Sequence, residues 1–192
     1  MSEMSIEILK LMKQTRKIFE QVGALLSTAD GLMGEAAWDT TNTCISSSSA
    51  SINLPKQWMP YEVFRFYKKE DSPNLLLFVC VLLDERDDYE SELGQSLITA
   101  GSFHYGESEE GDKWEYWEYW WSRFHGYMPE RTDDGVVHHV DPKIQWPNES
   151  YPFEGVSTFA WPLASITNTS DLKEKIIEPL LQLIQGKDAD PI

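Results

Sequence analysis

The sequence is expected to fold as an α+β protein, with a predominantly antiparallel four- to six-stranded sheet packed with N- and C-terminal helices and an intervening aromatic-rich helix. Three observations lead there. Amphipathic helical spacing occupies both ends of the chain, short apolar runs cluster between them, and several of those runs are joined by hairpin-length connections. Such connections favour antiparallel neighbours over a doubly wound parallel sheet. At 192 residues the chain can bury roughly 70% of its extended surface, enough for one core without metal or disulfide support. No compositional boundary divides it, so 1–192 reads as a single compact domain, with 1–4 and 186–192 as flexible termini.

The first helix is expected over Ser5 to Leu26. Ile8, Leu11, Thr15, Ile18, Val22 and Leu25 recur at helical spacing, widened by Met12, Phe19 and Leu26, and the face is expected to pack on the sheet. Lys10, Lys13, Arg16 and Lys17 cover the other side. Gly23, Gly31 and Gly34 suggest the transition out of this helix. A strand near Asp39–Ser47 follows, with Trp38, Ile45, Ile52 and Leu54 as apolar anchors, and then a second at Tyr61–Lys68. Lys68–Asn74 carries turn residues. Leu75–Leu83 is almost continuously apolar, which places it at the centre of the sheet with both faces covered. Ser96–Tyr105, Val136–Val140 and Val156–Trp161 complete the strands. Asp171 is taken to open the last helix with Glu174 three residues on, and Pro179 inside its stripe predicts a kink or a two-part helix.

Between the strands lies Trp114–Tyr127, WEYWEYWWSRFHGY, with four tryptophans and three tyrosines in fourteen residues. Trp114, Trp117, Trp121, Phe124 and Met128 would share one helical stripe. Asp112 suits an N-cap with Glu115 at N3, and Gly126 suits a left-handed C-terminal turn. These signals favour a helix over Lys113–His125, with a strand or irregular hairpin as the alternative that Trp and Tyr propensity allows. Tyr116, Tyr119 and Trp120 fall outside the stripe and are candidates for a second, outward sector.

Charge narrows the partners. The chain has 32 acidic and 16 basic residues, a formal net charge of −16. Asp84 to Glu118 holds twelve acids against Arg86 and Lys113 alone. Such a field repels nucleic-acid phosphate and anionic membrane and attracts a basic protein surface. Cys44 and Cys80 are read as free thiols in a reducing compartment. The basic residues of the first segment interrupt any signal-peptide core or membrane span, so cytoplasmic residence is expected.

Catalytic patterns are thin. His138 and His139 are adjacent and would point to opposite faces of a strand, which weakens a joint metal site. His104 or His138 could meet Asp133, Asp134 or Asp141 only through folding. Asp84, Glu85, Asp87 and Asp88 follow the apolar strand and could hold a divalent cation, as in a metal-dependent nuclease or phosphatase. Four acids there are equally a solvated edge. The serine run at 46–49 lacks a nucleophile-elbow pattern, and phosphate-loop, dinucleotide and paired CxxC motifs are missing. The sequence therefore assigns no catalytic residue, no metal ligand and no cofactor.

Recognition is the better-supported class: a non-enzymatic protein-binding module. Its candidate binding residues are Tyr116, Tyr119 and Trp120 as aromatic anchors, with Glu109, Glu110, Glu115 and Glu118 as electrostatic partners. The expected partner is a basic protein, with a homodimer partner as the structural alternative. In this acidity and size the chain resembles, at class level, the small acidic immunity proteins with which bacteria neutralise interbacterial toxins. That resemblance implies an inhibitor or antitoxin of a basic toxin and carries no residue correspondence.

Overall fold

The computed structural model describes residues 3–46, 60, 62–83, 95–105, 137–141 and 153–185. Helix α1 spans Glu3–Glu35, followed by strands β1 Asp39–Ser46, β2 Glu62–Lys68, β3 Leu75–Leu82 and β4 Leu97–Tyr105. Strands β5 Val137–Asp141 and β6 Phe153–Pro162 precede a 3-10 turn, Leu163–Ser165. The final helix, α2 (residues 169–185), consists of an α segment Thr169–Leu172, a π segment Lys173–Ile177 and an α segment Glu178–Gln185. The described part is thus an α+β fold. Its sheet runs β1-β2-β3-β4-β6-β5 with every neighbour antiparallel.

Sheet periodicity sorts the residues. Val63 and Tyr67 of β2, Leu77, Val79 and Val81 of β3, Ile98 and Ala100 of β4, and Phe159 of β6 share one buried cluster with both helices. From α1 come Val22, Leu26, Ala29 and Met33, and from α2 Leu172, Ile176, Ile177 and Leu180. The alternate residues, Phe64, Phe66, Leu76, Phe78, Cys80, Leu82 and Phe103 among them, are buried as well. Strand β3 is therefore covered on both faces and sits inside the sheet, as its unbroken apolar run predicts. On that second face Phe64 stacks on Phe66 at 6.0 Å, and Phe78 meets Phe103 at 5.2 Å.

Three boundaries differ from expectation, two of them for reasons the contacts show. Helix α1 does not leave at its glycines but runs through Gly23, Gly31 and Gly34 to Glu35. The apolar spacing continues through Ala29 and Met33, both fully buried, and that burial outweighs the cost of about 1 kcal/mol that each glycine imposes on a helix. The helix ends in a Schellman motif. Trp38 N–H donates to Met33 O and Ala37 N–H to Gly34 O, both at 3.0 Å, with Ala37 in the left-handed region at φ 62°. Trp38 and Met33 close the motif inside the core.

The last helix begins two residues earlier than Asp171. Asn168 is the N-cap: its side chain accepts from the Asp171 N–H at 3.0 Å, which puts Asp171 at N3 in place of Glu174. The break expected at Pro179 takes the form of the π segment just before it. Proline has no N–H to offer the carbonyl four residues back, and the wider turn lets Glu178 N–H reach Lys173 O instead. Strand β6 likewise starts at Phe153, three residues before the expected Val156.

Candidate functional site

The seven predicted binding residues, Glu109, Glu110, Glu115, Tyr116, Glu118, Tyr119 and Trp120, lie outside the described residues. So do the rest of the aromatic helix predicted over 113–125, the acids Asp84, Glu85, Asp87 and Asp88, and Asp133 and Asp134. The histidines can be placed by register. His138 is opposite Phe159 and His139 opposite Thr158, while His104 pairs with Gly155 on the other side of β6. Asp141 is opposite Val156. His104 is thus separated from β5 by a full strand, and His138 lies three residues along β5 from Asp141. Among the described residues no group of three His, Cys, Asp or Glu converges as a metal site would require. Cys80 is a free, buried thiol.

What the described residues do build is a cleft of about 750 Å³ between α1 and the turn that links β6 to α2. Ile18, Val22 and Leu25 form the α1 wall, and Leu163, Ile166 and Leu172 face them. Its edge is set by hydrogen bonds that tie chain segments together. Ser96 Oγ donates to Leu83 O at 2.8 Å, and Leu163 N–H donates to Ser96 O at 2.9 Å. The described lining residues include no acid, base, histidine or cysteine, so they supply apolar surface and neutral hydrogen-bonding groups rather than proton transfer.

One rim of the cleft is the capped start of α2. The Asp171 carboxylate accepts from Thr167 N–H at 2.9 Å, Thr167 Oγ1 at 2.6 Å and Asn168 Nδ2 at 3.0 Å. Lys175 approaches its other oxygen at 3.5 Å, donates to Ser165 O at 2.8 Å, and lies 5.6 Å from the centroid of the Trp161 ring. Hydrogen bonds from Thr167, aided by the Lys175 charge, hold the Asp171 carboxyl below its ordinary value of 3.8. The spacing Asn168-x-x-Asp171 announces this cap in the sequence. It was eclipsed by the similar signal at Asp171 and Glu174.

A second polar node joins α1 to β2. Asp30 accepts from Tyr67 Oη at 3.0 Å through one oxygen and pairs with Arg65 Nη2 at 2.9 Å through the other. Tyr67 is fully buried, and its hydroxyl finds in Asp30 the partner that a buried phenol needs. Strand alternation places Arg65 and Tyr67 on one face, and the helical phase of Ala29 and Met33 brings Asp30 to them. Both carboxylate oxygens are engaged, which makes this a clamp between elements. The sequence also concealed Glu62, fully buried where β2 begins and in phase with Phe64 and Phe66.

Among the described residues no helix is long and apolar enough to cross a membrane. Neither the sequence nor the fold matches a family model, a curated protein or a solved structure.

Proposed function

We propose that this chain is a non-enzymatic protein-binding module, of the inhibitor or immunity type, that neutralises a basic partner in a reducing, cytoplasmic setting. The observation that carries it is the concentration of twelve acids between Asp84 and Glu118, running directly into the aromatic segment. Acidic fields speed encounter with a basic surface, and desolvated Tyr and Trp side chains supply the short-range affinity. On the helical spacing read from the sequence, Tyr116, Tyr119 and Trp120 are the anchors, and Glu109, Glu110, Glu115 and Glu118 their charged surround. The described walls of the cleft, apolar with neutral hydrogen-bonding groups, offer a further surface suited to binding.

Affinity capture from the native source, comparing wild type with Tyr119→Ala/Trp120→Ala, tests the assignment. Circular dichroism should show both proteins folded. Wild type should retain one reproducible basic protein that the double variant loses, and Glu109→Gln/Glu110→Gln should slow its association and weaken its salt dependence. Equal retention by the folded double variant would remove the anchors from the proposal. Metal-dependent turnover with no protein partner would replace it with an enzymatic function.

A further inference from the structure

We draw no further inference here: the strongest candidate, the exposed apolar face that Met4, Ile8, Leu11 and Ile18 present on α1 ahead of Val22, carries nothing, because nothing among the described residues shows what covers it.

Discussion

The two halves of α1 carry the same amphipathic pattern and meet different fates. Residues 22–33 place Val22, Leu26, Ala29 and Met33 in the core, whereas Met4, Ile8, Leu11 and Ile18 stand in solvent. Hydrophobic periodicity states that a face is apolar and nothing about what covers it. Among the described residues, only the second half reaches the buried cluster. Polar contacts follow that division: Asp30, bonded to Tyr67 and Arg65, is in the buried half, and the four cations are in the exposed one.

The sharpest way to break the comparison is to truncate one apolar residue in each half. Leu26→Ala removes a side chain from the close-packed cluster and should destabilise the fold by about 2–5 kcal/mol in urea titration. Leu11→Ala, at monomeric concentrations, should stay within about 0.5 kcal/mol of wild type. Equal losses at the two sites would mean that Leu11 is covered within a single chain.

Smaller effects separate the halves further. Tyr67→Phe removes one of the two partners of Asp30 at the α1–β2 clamp. It should cost about 1–2 kcal/mol, while Asp30 keeps its ion pair with Arg65. Gly31→Ala tests whether glycine has a steric role in the buried half. A Cβ there meets nothing within 4 Å, so the substitution should raise stability by about 1 kcal/mol through helix propensity alone. A loss of stability would show that Gly31 is needed for packing.

The smallest expected effect concerns the helix that braces α1 from the other side. Because the folded-state value of Asp171 is depressed, its contribution is fully present above the unfolded value of 3.8 and is lost as pH falls through the lower folded value. The melting temperature of wild type relative to Asp171→Asn should therefore narrow between about pH 4 and pH 2. A gap that stays constant across that range would assign the cap's benefit to neutral hydrogen bonds.

Legibility in the sequence followed the range of the interactions. Leu75–Leu82 was readable as an interior strand because eight successive apolar side chains can be buried only where both faces are covered. The α1 stripe, the turn at 68–74 and Trp38 as an anchor were readable for similar local reasons. The passage of α1 through three glycines was not, because it depends on what Ala29 and Met33 touch on distant strands. Asn168 lost to Asp171 as the expected start of α2 because two overlapping cap signals differ only in the hydrogen bonds finally made. The Asp30 clamp needed the helix phase and the β2 face together. No pattern within either element contains it. The predicted recognition residues fall outside the described residues, so their support remains charge and composition.

By itself, then, the sequence determined the α+β class, the antiparallel character of the sheet, the interior place of β3 and the acidity of the chain. These arise from periodicity, turn chemistry and charge, which act over a few residues or do not depend on fold. Tertiary structure alone decided how far α1 extends and the order that sets β6 between β4 and β5. It also decided the cleft at the β6–α2 turn and the point on α1 where burial stops. Each depends on which distant surfaces meet, because an apolar face is withdrawn from water only where another element covers it.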